Sequence, residues 1–159
     1  MKIIIPYREN SQRCKKKNTR KFFLNDSLLG ITINNFKNQD ISLACIPTKT
    51  SIKRANDFRV DRIDLSSNTS TGSWGELAVE ISQQIDKSDQ LIGFAFCTNP
   101  VFFKFNSIKN FLLRAKKAVI DGAGSAMVVY PLKHYILDNN MQGINHGQGP
   151  WHQYSQHLP

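Results

Sequence analysis

No apolar run in this chain approaches the ~20 residues needed to cross a bilayer. The stretch from Met1 to Ile5 is too short for the apolar region of a signal peptide. Together these set a cytoplasmic expectation with no membrane partner. Cysteine is scarce: Cys14, Cys45 and Cys97 are odd in number, widely spaced and without a C-x-x-C pair. That argues against a disulfide framework and a Cys-based zinc site, and each thiol reads as a small buried hydrophobe. There is no internal repeat or low-complexity linker, and no G-x-x-x-x-G-K-[ST], G-x-S-x-G or H-E-x-x-H motif. Acidic residues are also few, 12 against 21 Lys and Arg, for a net charge of +9. Such an excess favours an anionic partner: a nucleoside triphosphate, a nucleic acid or an acidic surface. The cations concentrate in one loop and not on an aromatic-lined face, so nucleic acid is the weaker reading.

What is present fits one globular domain. The 159 residues are 40% hydrophobic and 21% charged, enough for a real core. Strand-like and helix-like patterns alternate, which predicts an α/β sandwich with a mainly parallel sheet. Ile3 to Ile5 is β-branched and stops at Pro6, predicting a first buried strand. A cation-rich loop follows at once, with Arg8, Asn10, Ser11, Gln12, Arg13, Lys15, Lys16, Lys17 and Asn18. A strand end that opens into such a loop is where α/β proteins hold phosphorylated ligands.

Further along, Asn25, Asp26 or Ser27 caps a predicted helix with Leu28, Leu29, Thr32, Ile33 and Phe36 as its stripe. Ile41 to Ile46 reads as a second strand and residues 54–73 as a long loop. Trp74, Leu77, Ala78, Ile81 and Ile85 fall at helical spacing, capped by Thr71 or Ser73 with Glu76 in the first turn. Leu91 to Cys97 reads as a buried third strand. A helix from Asn106 or Ser107 carries Ile108, Phe111, Leu112, Ala115 and Val119 and ends at Gly122 and Gly124. Ala126 to Tyr130 completes a fourth strand. Trp74 and Trp151 read as packing residues. The predicted α/β domain spans residues 1–138, and residues 139–159 are loop-like. His146, His152 and His157 lie close together, but without a C-x-x-C partner they define no zinc site, so metal ligands stay unknown.

Residues 2–18, K-I-I-I-P-Y-R-E-N-S-Q-R-C-K-K-K-N, resemble the N-terminal signature of the acylneuraminate cytidylyltransferases, roughly I-I-P-A-R-x-G-S-K-x-x-x-x-K-N. Pro6, Arg8, Ser11, Lys17 and Asn18 match without a gap. Tyr7 stands for the family's small residue, Asn10 for its second glycine and Gln12 for a lysine that neutralises triphosphate charge. Lys15, Lys16 and Arg13 are candidate substitutes for that lysine. Leu28, Leu29, Thr32 and Ile33 hold places of the K-P-L-I-x-x-T-I helix. Ser70 and Thr71 match the end of a loop like L-A-x-D-x-A-S-T, whose nucleotide-contacting Arg falls on Arg59 or Arg62. Thr98 and Pro100 match Q-P-T-S-P-L-R, where Phe96 replaces a sugar-reading Gln and Phe102 the Arg. Pro47, Thr48 and Lys49 occupy the place of a T-D-D turn. The chain ends on a segment similar to R-Q-x-L-P, short of the family's dimerisation element and metal-binding Asp.

The resemblance runs over most of the chain, thinning after the first loop. It implies a three-layer α/β/α sandwich, a Rossmann-like nucleotidyltransferase fold of the glycosyltransferase-A-like kind. It also implies transfer of CMP from CTP to a sugar acid, with release of pyrophosphate. Arg8 and Lys17 would be catalytic, holding the triphosphate. Asn10, Ser11, Gln12, Asn18 and Arg59 or Arg62 would line the nucleotide, and Thr98 and Asn99 the sugar acid. Magnesium is implied without visible ligands, and a homodimer is left open. The changes at Gln12, Phe96 and Lys49 also fit a relative that binds nucleotide without turnover.

Overall fold

Both faces of the first strand are buried, and that decides the architecture. The computed structural model describes residues 1–9, 14–23, 26–67, 73–85, 91–97 and 105–126. All of them fall in one compact unit, Met1–Ala126. Strand β1 (Lys2–Pro6) is almost wholly covered at Ile3, Ile4 and Ile5. Because successive side chains point to opposite faces, Ile3 and Ile5 join one buried cluster and Ile4 another. A strand covered on both sides reads as a continuous apolar run, not an alternation.

The basic loop is followed by a short antiparallel pair, β2 (Lys21–Phe23) and β3 (Asp26–Ser27). Helix α1 (Leu28–Asn35) starts at Ser27, whose Oγ accepts from the Gly30 N–H at 3.0 Å. Strand β4 (Asp40–Cys45) is followed by helix α2 (Lys49–Phe58) and strand β5 (Asp61–Asp64). Helix α3 (Trp74–Gln84) opens with Ser73 and Glu76 capping each other reciprocally. Strand β6 (Ile92–Phe94) precedes helix α4 (Phe105–Ala118), which ends in a wider turn at Val119–Ala123. Gly122 at φ 98° and Gly124 at φ 69° end it, as the sequence suggests, in a conformation that disfavours a side chain.

The four strands β5-β4-β1-β6 form one sheet in that order, with every pairing parallel. The chain starts in the middle, steps out to β4 and β5, then returns to the other side of β1. This is an α/β architecture with a parallel sheet flanked by helices, compatible with a Rossmann-like fold. One cluster joins Ile3, Ile5, Tyr7, Leu43 and Cys45 of the sheet side to Leu29 and Ile33 of α1 and Ala55 of α2. The other joins Ile4, Ala44, Ile63 and Leu65 to Ile81 of α3.

Two expectations change. Residues 54–73 are not one long loop: the second half of α2 and all of β5 lie in that range. Helix α2 is polar and offers only Ile52, Ala55 and Phe58 as apolar marks. Thr48 and Ser51 nevertheless cap it, with Ser51 N–H donating to Thr48 Oγ1 at 3.1 Å and Thr48 N–H donating to Ser51 Oγ at 2.8 Å. Strand β5 has a single buried residue, Ile63, too little for an apolar pattern. The third strand is shorter than expected, and its side chains alternate outward: Ile92, Phe94 and Phe96 are exposed. Residues 127–130 of the expected strand at 126–130 and the boundary at 138/139 lie outside the described residues, as do His146, Trp151, His152 and His157.

Candidate functional site

In an open parallel sheet, ligands bind outside the carboxyl ends of the strands, where the strand order reverses. Here that reversal lies between β1 and β6. The carboxyl ends are locked side by side: Ala95 N–H donates to Ile4 O at 2.9 Å, and Tyr7 N–H donates to Ala44 O at 2.8 Å. The basic loop leaves β1 at this edge. Arg8 is exposed just beyond Tyr7. Residues 14–20 then turn tightly, with Lys17 N–H donating to Cys14 O at 3.1 Å and Arg20 N–H to Lys16 O at 2.9 Å. Lys16 takes a left-handed φ of 55° to close that turn.

Asn18 fastens the loop to the fold. Its Nδ2 donates to Arg8 O at 3.1 Å, and its own carbonyl accepts from Leu29 N–H at 2.9 Å. The side chain is only 8% exposed, yet its Oδ1 accepts no hydrogen bond. Buried polar atoms are nearly always paired, so this one stands out. The charge of Lys17, the residue before Asn18, acts on the thiol of Cys97, three residues past β6. The thiol is nonetheless pushed up to about 11, because burial disfavours the thiolate more than Thr32 and Lys17 favour it.

Tyr7 is the residue the sequence undervalues. It is 4% exposed, inside the cluster shared by α1 and α2, and its hydroxyl has no hydrogen-bond partner. Burial raises its pKa to about 12, with Glu9 adding to the rise and Arg54 opposing it. Arg54, on α2, has a buried Nε that donates to nothing. Cys45 is also raised, first by burial, and the Ser51 hydroxyl opposes the rise. The Thr48–Ser51 cap and the spacing of Ile52, Ala55 and Phe58 were the signals for α2 and hence for Arg54.

The two candidate arginines are separated by the fold. Arg59 ends α2 in a left-handed conformation, ahead of β5. It lines a cavity of about 390 Å³ at the opposite edge, with Lys37, Asp40, Asp57 and Asp61. Arg62 lies inside β5, opposite Leu43, and is forked onto the Asp64 carboxylate. That pairing holds its pKa above the usual value. Asn10, Ser11, Gln12, Thr98 and Asn99 lie outside the described residues. Phe96 is 40% exposed, and its ring meets Trp74 at a centroid distance of 5.1 Å; Phe94 meets the same indole at 4.8 Å. Trp74 thus packs against both rings while remaining half-exposed.

Among the described residues no three His, Cys, Asp or Glu side chains gather to hold a metal ion, so the donor set for magnesium is not met there. Among the same residues no helix is long and apolar enough to cross a membrane. No protein-family model matches the sequence, and no curated protein matches it.

Proposed function

We propose that this chain binds a nucleoside triphosphate at the carboxyl edge of its sheet and acts as a nucleotidyltransferase of the acylneuraminate cytidylyltransferase type. The fold would be a three-layer sandwich of the glycosyltransferase-A-like kind. The observation that carries the reading is Asn18. A buried asparagine spends its amide N–H on the Arg8 carbonyl and leaves its carbonyl oxygen free, beside the cationic loop. A donor on a ligand, such as a nucleotide amino or hydroxyl group, would complete it. Arg8 and Lys17 are the cations for the phosphates, with Ser11, Asn10 and Gln12 of the same loop alongside. Of the two arginines, Arg62 is the better candidate, since Arg59 belongs to the opposite edge. Thr98 and Asn99 follow Cys97 and would face the acceptor.

In this chemistry a sugar-acid hydroxyl attacks the α-phosphorus of CTP, loses its proton, and pyrophosphate departs. Catalysis then rests on positioning and on stabilising phosphate charge. No step is assigned to magnesium, because the described residues offer no donor set for it. The exposed Phe96 favours a second reading, a nucleotide-binding relative without turnover, since a ring in that place cannot hydrogen-bond a sugar acid.

Calorimetric titration with CTP and Mg²⁺, against ATP, GTP and UTP, tests the proposal. Selective CTP binding at micromolar strength, about −8 kcal/mol, is expected. Equal and weak binding of all four would reduce the loop to a cationic patch. Release of pyrophosphate from CTP plus sugar acid separates the enzyme from the silent relative.

A further inference from the structure

We infer that the Tyr7 hydroxyl and Arg54 Nε hold one oxyanion, a ligand phosphate or carboxylate, at the carboxyl edge of β1. The inference deepens the nucleotide-site reading and rests on it for location. Both groups are donors, both are buried, and neither has an acceptor. Tyr7 is 4% exposed and enters from the sheet, while Arg54 enters from α2. Tyr7 packs in one buried cluster with Ala55, the residue after Arg54, and the guanidinium charge acts on the hydroxyl. A buried donor without an acceptor costs about 1–3 kcal/mol, and this structure carries both of these. One oxyanion satisfies both, since it accepts several hydrogen bonds and balances the arginine charge. The high pKa of Tyr7 keeps it protonated, and therefore a donor, at any physiological pH.

The pair also answers a deficit in the loop. Gln12 stands where a lysine would neutralise ligand charge. Arg54 restores a cation from a different element, next to a tyrosine that stands where a small residue is expected. The Glu9 charge acts on the same hydroxyl and opposes an anion there.

The full chain is titrated calorimetrically with pyrophosphate, CTP and N-acetylneuraminate, in wild type, Tyr7→Phe, Arg54→Gln and Glu9→Gln. Tyr7→Phe keeps the ring and its packing, which guards against a folding artefact. About tenfold weaker pyrophosphate and CTP binding in Tyr7→Phe and Arg54→Gln assigns the site to a phosphate. Weakening confined to N-acetylneuraminate assigns it to a carboxylate. Glu9→Gln is expected to tighten the same ligand several-fold, and weaker binding there would overturn the placement. Unchanged affinity in Tyr7→Phe and Arg54→Gln, with wild type still selecting CTP, overturns this inference and leaves the nucleotide reading standing. Pyrophosphate binding that depends on Tyr7 and Arg54, without CTP selectivity, overturns the nucleotide reading alone. No binding of any probe by wild type overturns both.

Discussion

Tyr7 couples stability to pH in a way few tyrosines do. Its hydroxyl is buried and its pKa rises from 10.0 to about 12, mainly because burial penalises the phenolate. A group whose folded pKa lies above its unfolded value stabilises the fold below the unfolded pKa, and loses that contribution as pH rises through the folded one. The window is therefore pH 10 to 12. Urea denaturation is expected to show stability falling there by up to about 2–3 kcal/mol, and the Tyr7→Phe protein should lack that component. At neutral pH the same variant should be as stable as wild type or more so, because it deletes an unpartnered buried hydroxyl. A protein that loses stability at pH 7 on Tyr7→Phe would mean the hydroxyl is already satisfied. Neighbouring residues show how much a single position reveals unaided. Asn18 stood out in the sequence by its place in the loop, and its burial and free Oδ1 agree with a constrained role. Arg54 did not stand out, since a cation in a polar stretch has no signature until a helix turns it inward.

At the scale of elements, α2 depends on its cap more than on its apolar stripe. Ser51 is buried, donates its hydroxyl to Ile46 O at 2.7 Å, and receives the Thr48 N–H at 2.8 Å. Ser51→Ala removes the capping hydroxyl and leaves Thr48 N–H and Ile46 O only each other, at 2.9 Å, so a loss of about 0.5–2 kcal/mol is expected in urea denaturation. The loss should also loosen Arg54, which lies one turn further along the same helix. Helices α1 and α3 were legible because Ser27 and Ser73 precede apolar stripes. Helix α2 carried its cap signal as Thr48 and Ser51, but its charged, polar body hid it. Strand β5 was illegible for a related reason: a strand bordered by Asp61, Arg62 and Asp64 has one buried residue and shows no period of two. Strand β6 misled in the other direction. Its apolar run suggested burial, yet Phe94 and Phe96 face outward and pack edge-on against Trp74.

For the molecule as a whole, β1 is the keystone because it serves both buried clusters. Ile4→Ala is expected to cost about 2–5 kcal/mol by urea denaturation, since Ile4 is fully covered between Ala44, Ile63 and the α3 side. A loss under 1 kcal/mol would mean that the α3 cluster is not part of the cooperative unit. The strand order also decides where function can sit. With β4 on one side of β1 and β6 on the other, the strand order reverses at β1, whose carboxyl end opens into the basic loop.

Taken alone, the sequence determined the composition of the fold: a β-branched first strand, a cationic loop after it, capped helices, and an alternation that calls for a parallel sheet. These are local properties, set by side-chain branching, capping chemistry and the spacing of apolar residues. Only the tertiary structure decided the strand order, that Arg59 lines the cavity at the opposite edge while Arg62 pairs with Asp64, and that Arg54 Nε is buried. Those outcomes depend on strand order and on burial, and both are fixed by contacts between residues far apart in the chain.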